Sequence, residues 1–202
     1  MKEVLTMHAF RLAGKSGLVS LLLLTCASVA AVDGAEGLND AAIKTRVDAR
    51  AQVAGTVLGG AKAEFMCTTG KGGALSVAVS LPEPEAIKGF PLGDFEGPGG
   101  IGEKRALATW SLGGEIPATT KGNISGWYGV DGDGFLLAAT SDSANASAFR
   151  RLLRRYLDAA TQPLRLVVES PKKGAALEVE IVLGDRRDSV EAIIAPCLKL
   201  PK

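Results

Sequence analysis

Apolar and polar positions alternate most clearly in the last third of the chain. Leu164, Leu166 and Val168 interleave with Arg165 and Glu169, the period of two expected of a half-buried strand. Ser170-Pro171-Lys172-Lys173-Gly174 supplies turn chemistry, because Pro sets one φ and Gly tolerates a positive one. Leu177, Val179, Ile181 and Leu183 resume the alternation, with Glu178 and Glu180 on the other face. Val190, Ile193, Ile194 and Cys197 then fall at i, i+3, i+4 and i+7, which predicts a short helix that points Cys197 inward. Asp188 is its expected cap, with Glu191 three residues on, and Pro196 its expected stop.

The same reading covers the rest of the chain. Ile43, Val47 and Ala51 recur every four residues among Lys44, Arg46, Asp48 and Arg50, and predict a helix from Asn39 or Asp40 to about Val53. Gly55, Gly59 and Gly60 mark its end or a turn. Strands are expected at 63–69, at 74–81 after the Gly70–Gly73 turn, at 106–112, at 124–130 and at 135–140. The Asp131-Gly132-Asp133-Gly134 stretch joins the last two as a hairpin. A helix from Ser143 or Ser147 to Ala160 buries Phe149, Leu152, Leu153, Tyr156 and Ala160 and turns Arg150, Arg151, Arg154 and Arg155 outward. Six or seven strands, mostly hairpin-connected, with two or three helices describe a single α+β domain built on an antiparallel sheet, as a sandwich or one sheet.

Residues 82–104 break the pattern. Four prolines and six glycines in this stretch are too many for regular structure. Ile87, Phe90, Leu92, Phe95 and Ile101 are too many apolar groups for a free linker. A long ordered loop packed by its own side chains follows, either as a contact surface that uses Phe90 and Phe95 or as a flap over a sheet edge.

The N-terminal segment changes what chemistry is on offer. Lys2, Arg11 and Lys15 precede the apolar run Gly17–Leu24, and Ser28-Val29-Ala30-Ala31 ends in small residues. This is the layout of an export signal over residues 1–31, with an apolar run too short to span a bilayer. A retained N-terminal anchor, or lipidation at Cys26 within Leu23-Leu24-Thr25-Cys26, are the alternatives. Removal of residues 1–31, which carry a net +2, takes the formal charge from +1 to about −1. The exported domain, 32–202 with a leader over 32–38, then has no global pull on nucleic acid.

Removal also takes the only histidine, His8. Without an imidazole there is no Ser-His-Asp or Cys-His nucleophile and no His-ligated zinc. The remaining Cys67 and Cys197 are expected to pair in an oxidising compartment, periplasmic or extracellular; two free buried thiols are the alternative. No metal site, cofactor or transmembrane helix is expected.

The surviving candidates are few. Asp94 and Glu96 could serve as the carboxylate pair of a carbohydrate hydrolase. Asp131 and Asp133 belong to a turn, because Phe135 and Leu136 stand where a calcium loop needs a ligand and a glycine. Gly97–Gly102 lacks the strand-then-helix setting of a dinucleotide loop. The four arginines suit a phosphate, an acidic glycan or an acidic partner, or form a solvated face partly balanced by Asp158. Trp110, Trp127 and Tyr128 read as core or as a stacking surface for sugar rings. Asn123-Ile124-Ser125 and Asn145-Ala146-Ser147 are glycan acceptor sequons. The combined expectation is an exported, non-enzymatic protein that binds a protein or envelope component, with a hydrolase inhibitor or a carboxylate hydrolase as alternatives.

Overall fold

The computed structural model describes residues 42–69, 74–113, 118–129, 134–140, 146–159 and 161–199. The export segment with Cys26, the leader 32–38, Asn39 and Asp40, the Gly70–Gly73 turn, Pro117, the Asp131–Asp133 turn, Asn145 and Ala160 lie outside them. The described residues belong to one compact unit, and it is α+β.

Residues 42–53 form a strand, not the expected helix. This strand, β1 (Ala42–Val53), buries Val47, Ala51 and Val53 and exposes Lys44, Arg46, Asp48 and Arg50. Ala54 and Gly55, both at positive φ, turn it into β2 (Thr56–Leu58). Two left-handed residues between paired strands match the twist a tight hairpin needs. The chain continues through β3 (Lys62–Thr68) and β4 (Ala74–Leu81). After the 82–104 stretch come β5 (Ala108–Leu112), β6 (Ala118–Gly122), β7 (Ser125–Tyr128) and β8 (Phe135–Thr140). A helix over Ala146–Asp158, β9 (Leu164–Val168), β10 (Leu177–Ile181) and a final helix over Arg187–Leu198 complete the chain.

Ten strands among the described residues thus replace the six or seven expected. They form one curled sheet in the order β6-β5-β9-β10-β1-β3-β4-β8-β7, with β2 attached to β1. Every named pairing is antiparallel. β1 joins the two halves: residues 42–48 pair with β3, and residues 49–53 pair with β10. The hairpins expected around residues 69–74, 129–134 and 169–176 are present, with Thr68 opposite Ala74, Tyr128 opposite Phe135 and Val168 opposite Leu177.

The 82–104 stretch folds as short helical turns at Pro84–Ala86, Leu92–Phe95 and α1 (Ile101–Lys104). The helices α2 (Ala146–Asp158) and α3 (Arg187–Leu198) pack on each other, α2 against β5 and β6 and α3 against β1, β3 and β4. The core between sheet and helices includes Phe65, Val77, Trp110, Leu137, Leu153 and Leu166. Tyr156 crosses it, its ring 6.4 Å from that of Phe65 and its hydroxyl donating to the Ile181 carbonyl at 2.7 Å. α3 starts without the expected Asp188 cap: the residue before it is Arg186, and no side chain bonds the exposed amides. Pro196 lies inside the helix and does not end it. No helix among the described residues is long and apolar enough to cross a membrane.

Candidate functional site

Cys67 and Cys197 form the disulfide, with sulfurs 2.01 Å and Cα atoms 5.7 Å apart. Both are buried, so the bond fastens the last turn of α3 to β3 inside the core. It closes a loop of 130 residues, worth about 4–5 kcal/mol if it acts on the entropy of the unfolded chain.

The aromatic groups of the 82–104 loop also point inward. Phe90 and Phe95 are buried and stack at 5.3 Å, with Ile87 and Leu92 buried beside them. Gly102 and Gly126 make this packing possible. A Cβ on Gly102 would collide with the Phe95 ring and the Ile124 carbonyl, and one on Gly126 with the Phe135 ring. The loop runs along the edge strand β7: Glu96 bridges Gly126, the Gly97 amide donates to the Gly126 carbonyl at 2.9 Å, and the Ile124 amide donates to Gly102 at 3.0 Å. What the loop offers to solvent is therefore backbone and polar groups, while its phenyl rings hold it down.

Asp94 is held by Lys172 at 2.9 Å, across to the β9–β10 turn, and Glu96 is exposed. Trp110 is core, edge-on to Phe149 at 5.3 Å, and its indole N–H has no partner among the described residues. Trp127 and Tyr128 lie on β7 and are each 42% exposed. Asn123 is exposed and donates to the Glu103 carbonyl, while Ser125 donates to the Glu103 carboxylate at 2.6 Å.

The charged outer face of the sheet is largely self-neutralised. Arg46 donates to Glu64 at 2.6 Å, with Lys44 at 3.7 Å. Lys62 pairs with Asp48, and this hydrogen bond, then the lysine charge, holds the Asp48 carboxyl below its ordinary range. A cleft of about 380 Å³ on this face is lined by Arg50, Gln52, Arg165, Glu178 and Glu180. There Arg165 pairs with Glu180 at 3.0 Å and Gln52 with Glu178 at 2.8 Å.

The arginines of α2 are arranged differently. Their side chains do not share one solvated face: Arg150 is buried, Arg151 and Arg154 are exposed, and Arg155 is half-buried. Arg150 donates to the Lys199 carbonyl at 3.4 Å and Arg154 to the Leu198 carbonyl at 3.1 Å. Cations at these carbonyls offset the negative end of α3. Arg154 makes no ion pair with Asp158, and Arg151 has no partner among the described residues. Arg150, Arg151, Arg154 and Leu198 line a cleft of about 320 Å³. No described carboxylate is among the residues that line it. Sequence spacing located the arginines; the cleft needed α3, which folds back from about 40 residues later.

No group of three or more His, Cys, Asp or Glu side chains among the described residues is arranged to hold a metal ion. Compared with protein-family models, with curated proteins and with solved structures, the chain shows no match.

Proposed function

We propose that the chain is an exported, non-enzymatic binding protein whose partner is a negatively charged macromolecule or envelope component. The cleft between α2 and α3 carries this reading, with three guanidinium groups around one opening. Guanidinium forks donate in pairs to the oxygens of acidic groups. The buried disulfide supports export, because such bonds persist in oxidising compartments. The carboxylate-hydrolase alternative draws little support from the geometry, since Asp94 is engaged by Lys172. The inhibitor alternative keeps one supporting observation, a loop anchored in one conformation by Phe90 and Phe95.

Co-sedimentation of the purified protein with isolated envelope fragments tests the reading. The wild-type protein is expected in the pellet, and the variant carrying Arg151→Gln and Arg154→Gln in the supernatant. Equal sedimentation of the two proteins would move the contact elsewhere.

A further inference from the structure

A second set of convergent polar groups lies on the outer face of the sheet, and the strand register defines it. Arg50 stands opposite Glu180, Glu180 opposite Arg165, Arg165 opposite Ser111, and Ser111 opposite Thr119. The next residues along these strands, Ala51, Val179, Leu166 and Trp110, are buried. The five polar side chains therefore point away from the core, in one row across β1, β10, β9, β5 and β6. Two clefts of about 380 and 430 Å³ lie along the row and share Arg165. Arg50 and Glu180 line the first, Ser111 and Thr119 the second. Four strand-to-strand steps of about 4.8 Å make the row about 19 Å long. This face is on the other side of the sheet from α2 and α3, so its occupancy is independent of the arginine cleft.

The charges lining the first cleft cancel, Arg50 and Arg165 against Glu178 and Glu180. An anion there would meet two carboxylates and a cation two guanidinium groups, so a net charge of either sign gains little. Hydrogen-bonding capacity of both kinds remains. Arg50 makes no ion pair or hydrogen bond with a described residue and offers donors only. Glu178 accepts from Gln52 and Glu180 pairs with Arg165, yet each carboxylate has about four acceptor sites. A hydroxyl donates and accepts at one oxygen, so a chain of neutral hydroxyl groups can bond every member of the row. An extended peptide separates its donors from its acceptors and needs apolar pockets for its side chains. In the first cleft Val167 is the one apolar lining residue not buried in the core, enough for the C–H face of a ring and too little for a run of side chains. The strand spacing is also close to the length of one pyranose unit, so successive rings can each meet one strand. We infer that this row binds a neutral polysaccharide chain laid across the strands.

NMR titrations of the purified protein with cellohexaose, chitohexaose and maltohexaose test this. At least one is expected to bind saturably, with shifts at the amides of Arg50, Ser111, Thr119, Arg165 and Glu180. The matching disaccharide covers less than half of the row and is expected to bind on the order of tenfold more weakly, the effect of losing a charge-assisted hydrogen bond. Arg50→Ala and Thr119→Val, at opposite ends of the row, are each expected to weaken the hexasaccharide, Arg50→Ala on the order of tenfold for the same reason. Neither side chain bonds a described residue, and unchanged thermal midpoints verify that both variants fold. The variant carrying Arg151→Gln and Arg154→Gln is expected to bind the sugar as the wild type does. Added sodium chloride is expected to leave the affinity unchanged, because the ligand carries no charge. No saturable binding of any hexasaccharide, shifts that map away from the row, a disaccharide that binds as tightly, or an affinity that either single variant leaves unchanged overturns the inference. Binding of hexaglycine at the row with none of the sugars would assign an extended peptide and overturn it as well.

Discussion

Tyr156 shows how one buried polar group links the core to pH. Burial pushes its phenol well above the ordinary value of 10.0, because the interior disfavours the charged form. A raised folded pKa means that the native state keeps the proton after the unfolded chain has lost it. Its contribution is complete below about pH 10 and declines as pH rises beyond that. Tyr156→Phe is expected to cost about 1 kcal/mol at neutral pH by losing the bond to Ile181. The gap to wild type should narrow above pH 10, which urea titrations at pH 7 and pH 11 would measure. Phe95 makes the opposite case, a residue whose type suggested a surface and whose place is the core. Phe95→Ala is expected to destabilise by about 3–5 kcal/mol, visible as a large fall in the urea midpoint. The same aromatic and glycine content fits an exposed loop or a buried one. Only the position of β7 and β8 beneath the loop decided between them.

At the scale of elements, β1 shows what periodicity could and could not say. Ile43, Val47 and Ala51 are four residues apart, a spacing that a helix and a strand both place on one side. The deciding positions lie between them: Lys44, Arg46, Asp48, Arg50 and Gln52 are polar at every second residue, which is the period of a strand. The β1–β2 turn adds a test of backbone conformation. Ala54 has φ of 49° and is the one described non-glycine residue at positive φ, a conformation that costs an ordinary residue roughly 1 kcal/mol. Ala54→Asn, suited to this turn before glycine, is expected to raise the thermal midpoint by a few degrees. β2 and β6 escaped notice for another reason. They are short, and neither carries an alternating apolar run; neighbouring strands make them strands. α3 is tied into this framework by the disulfide. Replacing Cys67 and Cys197 by Ser is expected to cost about 4–5 kcal/mol in the chain-entropy account, measured by urea unfolding of the double variant beside the oxidised parent.

For the whole molecule, the distribution of charge matters more than its sum. A formal net of +1 hides a sheet face where signs alternate and a cleft where they do not. Binding through that cleft is expected to be sensitive to salt, because the exposed side chains of Arg151 and Arg154 are screened over a Debye length of about 10 Å at 0.1 M. Sedimentation with envelope fragments should fall as sodium chloride rises from 50 to 500 mM. A contact made by apolar surface would hold or strengthen over that range.

The sequence by itself determined the α+β class, the three strongly alternating hairpins, the stripe of α2 and the cysteine pairing. Each of these follows from local period, turn chemistry or simple count, which a linear chain displays directly. Only the tertiary structure decided that 42–53 is the strand joining the two halves of the sheet, that Phe90 and Phe95 face inward, and that α3 converts a row of arginines into a cleft. Those outcomes depend on which distant surfaces meet. Burial and charge convergence are properties of such meetings, so no single segment carries them in its own pattern.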